Sequence, residues 1–121
     1  MFHFFVLNTI LFPSIDLASW NVEHVTDMRD VFHGATAFNG DITTWVTSSV
    51  TSFQSMFNTA TVFNQDISKW IVSKARGKLC MNAMFASASA FNQGTLRCTA
   101  VFRSFDDLRL TLRPFLVFCI F

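Results

Sequence analysis

Hydrophobic residues in the middle of the chain recur with a period of 25 residues. The tryptophans Trp20, Trp45 and Trp70 are separated by that interval, and Phe-Asn pairs follow them at 38–39, 63–64 and 91–92. The unit can be written W-x-x-x-x-V-x-x-[MF]-x-x-x-F-x-x-A-x-x-F-N-x-D-I-x-x, after which tryptophan returns. A repeat of this length predicts a solenoid, in which each coil buries its apolar side chains against its neighbours.

The repeat divides the chain into three segments. Residues 1–13 form an apolar N-terminal segment, residues 14–94 form the predicted solenoid, and residues 95–121 match no column of the repeat. Coil 1 spans residues 20–44, coil 2 spans residues 45–69 and coil 3 spans residues 70–94. Coil 3 is three residues longer before Phe85, and the extra residues fall within the basic stretch 73–79, which predicts a loop.

Local spacing within each coil predicts one short strand and one short helix. The segments HVTDM and SVTSF are rich in Val and Thr and are long enough for one brief strand, so stacked coils would form a narrow parallel sheet. Phe32, Ala35 and Phe38 step by three, a spacing that lines one side of a short α-helix or 3₁₀ turn. The sequence therefore predicts an α/β repeat solenoid.

Apolar and polar columns have separate structural roles in this prediction. The aromatic columns should form continuous ridges through the core, and the Asn and Asp columns should satisfy backbone groups at coil corners and turns. An oxygen ladder that binds calcium is the alternative for the acidic column, although Gly40 is the only glycine beside it. The predicted structural core comprises Trp20, Trp45, Trp70, Phe32, Phe57, Phe85, Phe38, Phe63, Phe91, Asn39, Asn64, Asn92, Asp41 and Asp66.

Two strings carry a resemblance to a known repeat family. VTDMRDVFHGATAFNGDITTW and VTSFQSMFNTATVFNQDISKW resemble the DUF285 repeat, which is also met in BspA-type leucine-rich-repeat surface proteins. The resemblance covers about residues 14–94 and departs from the family pattern after each tryptophan, where Asn21, Val46 and Ile71 replace Asp. It implies a leucine-rich-repeat-like solenoid, often carried in long arrays on secreted or surface-anchored microbial proteins. It implies no enzyme activity and no catalytic residue.

Composition and charge narrow the range of functions. The chain has 121 residues, is 51% hydrophobic and has a formal net charge of +1, which argues against disorder and against strong nucleic-acid binding. The charges are uneven, because residues 1–68 carry six acids and one base, whereas residues 69–121 carry eight bases and two acids. The basic residues Lys69, Lys74, Arg76 and Lys78 lack interleaved aromatics and are interpreted as a solvated loop.

Candidate catalytic and metal-binding chemistry is sparse. The histidines His3, His24 and His33 form no H-E-x-x-H motif, and the cysteines Cys80, Cys98 and Cys119 form no C-x-x-C pair. Phosphate-binding glycine loops and the G-x-S-x-G nucleophile motif are missing, and the adjacent pair Asp106-Asp107 is interpreted as a solvated turn. We expect no enzyme activity, no cofactor and no metal.

The terminal segments bear on localisation. The first twelve residues are as apolar as a signal-peptide core but lack a preceding base and a cleavage site. They are interpreted either as a secretory signal or as an apolar segment that is no signal. Neither apolar end approaches the roughly 20 residues of a membrane span. We expect an extracellular or cell-surface module with further repeats of a longer array as neighbours.

The expected function is recognition of a protein or glycan ligand. Solenoids offer extended faces for recognition, and the variable positions Arg29, Gln54, Asn58 and Lys69 would decide specificity. The alternative is a purely structural stalk or spacer segment of a larger adhesin-like array. An Arg-rich or aromatic exposed surface would favour recognition, whereas a uniform Ser, Thr and Asn surface would favour the stalk.

Overall fold

Turns and hydrogen bonds between coils make up nearly all of the architecture. A computed structural model describes residues 16–77 and 79–93. Those residues contain one 3₁₀ helix, Leu17–Ser19, and one isolated parallel bridge between Asp27 and Ser52, but no α-helix and no longer strand. The predicted segments 1–13 and 95–121 lie outside the described residues.

Neighbouring coils are joined by backbone hydrogen bonds from every second residue. The amides of residues 28, 30, 32 and 34 in coil 1 donate to the carbonyls of residues 52, 54, 56 and 58 in coil 2, over 2.8–3.0 Å. The amides of residues 53, 55, 57 and 59 in coil 2 donate in the same way to residues 80, 82, 84 and 86, over 2.7–2.9 Å. The coils therefore lie side by side and in parallel, with equivalent residues adjacent.

The intervening amides close turns within their own coil. Met56 donates to the carbonyl of Phe53 over 3.1 Å, Asn58 donates to Ser55 over 3.1 Å, and Ala60 donates to Phe57 over 3.0 Å. Such a chain of turns needs left-handed backbone at fixed positions, and these positions recur from coil to coil with φ between 53° and 73°. They are Asp30, Gly34, Ser55, Thr59, Ala83 and Ser87.

We call this succession of turns the turn ribbon; it comprises residues 28–34, 53–59 and 81–87. It occupies the part of each coil for which the sequence predicts a strand followed by a helix. A helix would use every amide within the coil, whereas here half of the amides reach the next coil. The spacing of Phe32, Ala35 and Phe38 fits the ribbon too, because the amides of Ala35 and Phe38 each donate three residues back. The expected strand is represented by the single bridge at Asp27 and Ser52.

The core is built from aromatic side chains that stack along the axis of the coils. The rings of Phe32, Phe57 and Phe85 stack with centroids 5.5 Å apart, and Phe57 also lies 3.9 Å from Phe63 in its own coil. The indoles of Trp45 and Trp70 stack at 6.2 Å, with only 5° between their planes. Because the same contacts recur in each coil, each column of rings packs against the neighbouring column.

The three extra residues of coil 3 are absorbed before the ribbon begins. Gly77 has a φ of +114°, a value that favours glycine, and its carbonyl accepts a hydrogen bond from the amide of Cys80. From Cys80 onward the carbonyls of alternate residues accept the amides of coil 2 in constant register, and Phe85 rejoins its column. The insertion therefore forms a bulge on the side of the stack without shifting the register of the core.

Candidate binding groove and polar ladders

The Asn column links adjacent coils through side-chain amides. Oδ1 of Asn39 accepts a hydrogen bond from the backbone N–H of Asn64 over 2.9 Å, and Oδ1 of Asn64 accepts from the N–H of Asn92 over the same distance. Asn39 and Asn92 are exposed and Asn64 is half-buried, so this column lies at the edge of the predicted core and not inside it. Nε2 of Gln65 donates to Asn39 as well, and Nε2 of Gln93 donates to Asn64.

The Asp column closes local turns two residues after the first and the second Phe-Asn pair. Oδ1 of Asp41 accepts from the amide of Thr43 over 2.9 Å and from its hydroxyl over 2.7 Å, and these hydrogen bonds lower the pKa of Asp41. Hydrogen bonds from the side chain and the amide of Ser68 lower the pKa of Asp66 in the same way. The column therefore serves turns within a coil.

The Trp column adds a hydrogen bond that sequence reasoning did not identify. Nε1 of Trp45 donates to the carbonyl of Leu17 over 2.7 Å, and Nε1 of Trp70 donates to the carbonyl of Ile42 over 3.2 Å. Each indole therefore donates to the residue that follows an Asp of the repeat, 28 positions earlier in the chain. The sequence contains one indication of this contact, because each Asp-Ile pair precedes the next Trp by the same number of residues.

Eight aromatic residues of the predicted core lie in the stack, with a gradient of burial along it. Phe57, Phe63 and Trp70 are buried in the middle of the molecule. Partly buried rings lie towards the two ends of the described stack, and they are Phe32, Phe38, Phe85 and Phe91. Trp45 is buried, whereas Trp20 keeps 38% of its surface exposed. Position along the stack thus decides how far each ring is covered.

Three of the four variable positions, Arg29, Gln54 and Asn58, fall within the turn ribbon, and none of them is buried. Arg29, Gln54 and Asn82 occupy equivalent positions in the three coils and form one column. Asn58 belongs to the parallel column that begins at His33, and Lys69 is exposed at the end of coil 2. The structure therefore brings Arg29 and Gln54 together but does not join Lys69 to them.

A shallow groove of about 480 Å³ runs between this variable column and the bulge of coil 3. Its lining includes Arg29, Arg76, Thr51, Ser52, Gln54 and Leu79. As far as the described residues define it, this lining offers guanidinium, hydroxyl and amide donors and contains no carboxylate or imidazole. Such a surface can bind a carboxylate or a carbonyl-rich ligand, but it holds no acid–base pair for catalysis.

Both arginines of the groove are held in place by neighbours. The guanidinium of Arg29 donates three hydrogen bonds to the carboxylate of Asp27, over 2.6–3.0 Å, and this pairing raises the pKa of Arg29. Nε of Arg76 donates to the carbonyl of Ser73 over 3.1 Å, and its two terminal nitrogens make no hydrogen bond with the described residues. The sequence predicts only a solvated loop for Arg76, because sequence alone does not show which side of the stack the insertion covers.

Other residues singled out from the sequence do not converge on a site. His24 and His33 are both exposed, and Nδ1 of His33 lies 3.4 Å from Oδ1 of Asp30. Within residues 16–77 and 79–93, no group of three or more metal-ligating side chains comes together, and no helix is long and apolar enough to cross a membrane. Cys80 is buried; His3, Cys98, Cys119 and Asp106-Asp107 lie outside the described residues.

Comparison with known proteins gives one result. The sequence model of the family described as "Mycoplasma protein of unknown function, DUF285" matches residues 1–103. No curated protein matches the chain, and no solved structure matches it. The match covers the predicted solenoid completely and includes residues on both sides of it.

Proposed function

The chain belongs to the DUF285 family, and on that premise we propose that it is a non-enzymatic recognition module of a surface or secreted protein. Its coils form a leucine-rich-repeat-like solenoid, and its ligand is a protein or glycan that presents carboxylate or carbonyl groups. The module acts by binding alone, without cofactor or metal, and is carried beside further repeats of a longer array.

The groove is the observation that supports recognition most strongly. Arg29 and Gln54 are positions at which the repeat varies, and both line the groove together with Arg76 from the insertion. Solenoids commonly bind ligands on surfaces built from such variable columns, because the core columns are already committed to packing. The terminal nitrogens of Arg76 and the amide of Gln54 supply donors on this surface that can bind a carboxylate.

Paired charge variants test this proposal. Arg76→Gln and Lys69→Gln each remove one exposed cation and leave the same net charge, but only Arg76 lines the groove. The probes are arrays of oligosaccharides and of peptides, each with and without carboxylates. We expect Arg76→Gln to lower binding to the carboxylated members by about tenfold, as for a lost charge-assisted hydrogen bond, and Lys69→Gln to leave binding unchanged. Equal losses in both variants would contradict recognition through the groove.

The alternative is a structural stalk that contacts only neighbouring repeats. It is favoured by the outward columns of the ribbon, which carry Ser55, Asn58, Thr59 and Ser87, a polar surface with few side chains suited to a hot spot. A failure of the native chain to bind any member of either array would support the stalk and overturn the recognition module.

A further inference from the structure

The coil 3 edge of the stack carries backbone amides without acceptors. In coil 2, the amides of Ser55, Phe57 and Thr59 donate to coil 3. Their equivalents in coil 3 are Ala83, Phe85 and Ser87, and these three amides donate to no acceptor in the structure as described. The coil 3 edge therefore presents a row of donors at every second residue, in the same ribbon conformation, since Ala83 and Ser87 also have positive φ.

The coil 1 edge carries the complementary acceptors. In coil 2, the carbonyls of residues 54, 56 and 58 accept hydrogen bonds from coil 1. Their equivalents in coil 1 are Arg29, Val31 and His33, whose carbonyls accept none across the described part of the chain. One end of the stack therefore offers donors and the other offers acceptors, with identical spacing along the ribbon.

The aromatic columns are open at the same two edges. Phe57 and Phe63 have no exposed surface, because a ring stacks on each of their faces. At the coil 3 edge Phe85 stacks on Phe57 but remains partly exposed, and at the coil 1 edge Phe32 is partly exposed as well. Each edge thus displays apolar ring surface beside unpaired backbone groups, a combination that promotes pairing with another chain.

The two end coils also have complementary charge. Coil 1 carries the acids Glu23, Asp27, Asp30 and Asp41 with the single base Arg29. Coil 3 carries three bases, Lys74, Arg76 and Lys78, and no acid. An approach of coil 3 towards coil 1 of another molecule is therefore electrostatically favourable, whereas approaches of like ends are repelled.

We propose that the coil 3 edge binds the coil 1 edge of a second copy of this chain, head to tail. The contact repeats the arrangement found between coils 2 and 3, so that the amides of Ala83, Phe85 and Ser87 donate to the carbonyls of Arg29, Val31 and His33 in the second copy. The ring of Phe85 stacks on Phe32 of that copy. Because the two surfaces differ, the contact is heterologous and extends into an open assembly. It rests on backbone pairing and is independent of any ligand in the groove.

Sedimentation velocity on the full chain tests whether the edges associate. We expect the weight-average mass to rise at least twofold between about 1 and 100 µM protein, and to fall again at high salt because the end coils attract each other. Amide hydrogen exchange on the same samples should show the amides of Ala83, Phe85 and Ser87 becoming protected as concentration rises. A monomer at every concentration would overturn the proposal; protection of these amides in that monomer would identify the chain's own flanking residues as the occupant.

Paired cysteine variants test the register of the contact. His33 and Ala86 belong to one column, so His33→Cys and Ala86→Cys in different molecules would place their Cα atoms about 4.8 Å apart, within disulfide range. Both variants also carry Cys80→Ala, Cys98→Ser and Cys119→Ser. Under oxidised glutathione, we expect the mixture to form a disulfide-linked dimer of one of each variant, and neither variant alone to do so.

A mismatched pair provides the control for that experiment. Val46→Cys replaces His33→Cys in the mixture, because Val46 is half-exposed on the side of coil 2 and lies on neither edge. We expect at least a tenfold lower yield of mixed dimer from this pair. Equal yields from the two mixtures, or linkage of Ala86→Cys to itself, would overturn the head-to-tail register.

Discussion

Asn64 shows how a single polar side chain holds three coils in register. Its backbone N–H donates to Oδ1 of Asn39 in coil 1, and its own Oδ1 accepts from the N–H of Asn92 in coil 3. Nε2 of Gln93 donates to the same oxygen over 3.0 Å. The residue therefore fixes one position of the repeat along the whole axis, although its side chain is only half-buried.

Replacement of Asn64 should destabilise the stack through these lost partners. We expect Asn64→Leu to lower the free energy of unfolding by about 1 kcal/mol, because the amide of Asn92 loses its acceptor in a partly solvated place, while Nε2 of Gln93 keeps the backbone carbonyl of residue 64. Urea denaturation measures this change. Asn58→Leu is the matched control, since the Asn58 side chain makes no hydrogen bond within the described residues and should cost little. Equal effects would contradict the role of the Asn column.

Backbone conformation gives a second prediction at the residue scale. Gly34 and Thr59 are equivalent residues with φ of 73° and 60°, and a Cβ at Gly34 would meet only Oγ1 of Thr59, at 3.9 Å. Gly34→Ala should therefore destabilise through backbone strain alone, by about 1 kcal/mol, and Thr59→Gly should stabilise by a similar amount.

Chemical denaturation of the two variants tests this opposition of sign. Thr36→Gly is the control, because Thr36 is exposed and lacks a positive φ, so glycine there should destabilise. A loss of stability in Thr59→Gly as large as that in Thr36→Gly would contradict the left-handed ribbon.

The Asp column predicts how stability depends on pH. Hydrogen bonds from Thr43 and Ser68 lower the pKa values of Asp41 and Asp66 in the folded state below their ordinary value of 3.8. A lowered pKa contributes stability above the unfolded-state pKa, and that contribution is lost as pH falls through the folded-state pKa. We expect NMR titration of both carboxyl carbons to give midpoints below 3.8. Midpoints at or above that value would contradict the Asx turns.

At the scale of elements, the sequence predicts which residues align but not how each coil is folded. The 25-residue columns identify Phe32, Phe57 and Phe85 as neighbours, and these rings do stack. The ribbon itself carries no such signal, because Ser55 and Ala83 are residue types that rarely adopt positive φ. Their conformation follows from pairing with adjacent coils, which local propensity does not include.

The side chain of Thr47 links coil 2 to the backbone of coil 3, and replacing it tests the pairing between coils. It is buried in a column otherwise occupied by Val22 and Val72, and its Oγ1 donates to the carbonyl of Ile71 and accepts from the amide of Ile71. Thr47→Val keeps the volume but leaves both backbone groups unpaired, so we expect a loss of about 1–3 kcal/mol in the free energy of unfolding.

Thr51→Val is the corresponding control. Its hydroxyl donates to the carbonyl of Thr26, which also accepts the amide of Thr51 and so keeps a partner in the variant. Because Thr51 is exposed, we expect this variant to lose at most about half of what Thr47→Val loses. A larger loss for Thr51→Val would contradict the bridging role of Thr47.

At the scale of the whole molecule, a single stacking rule accounts for core, ladders and open edges. Within the ribbon, coil 1 donates backbone hydrogen bonds to coil 2 and coil 2 donates to coil 3, whereas the amides of Thr51 and Ala90, on either side of the ribbon, donate in the reverse direction. The sequence could predict the axis from its columns, and it located the insertion at residues 73–79. It could not predict the groove, because the side of the stack that an insertion covers depends on packing between residues distant in the chain.

Hydrogen-bond scalar couplings measured by NMR test the stacking rule most directly, since each coupling identifies one donor and one acceptor. The amide of Phe32 should couple to the carbonyl of Met56, and the amide of Phe57 should couple to the carbonyl of Met84. Asn58 and Ala60 should couple instead to residues three positions earlier. Couplings from all of these amides to carbonyls four residues earlier would establish a helix and contradict the account.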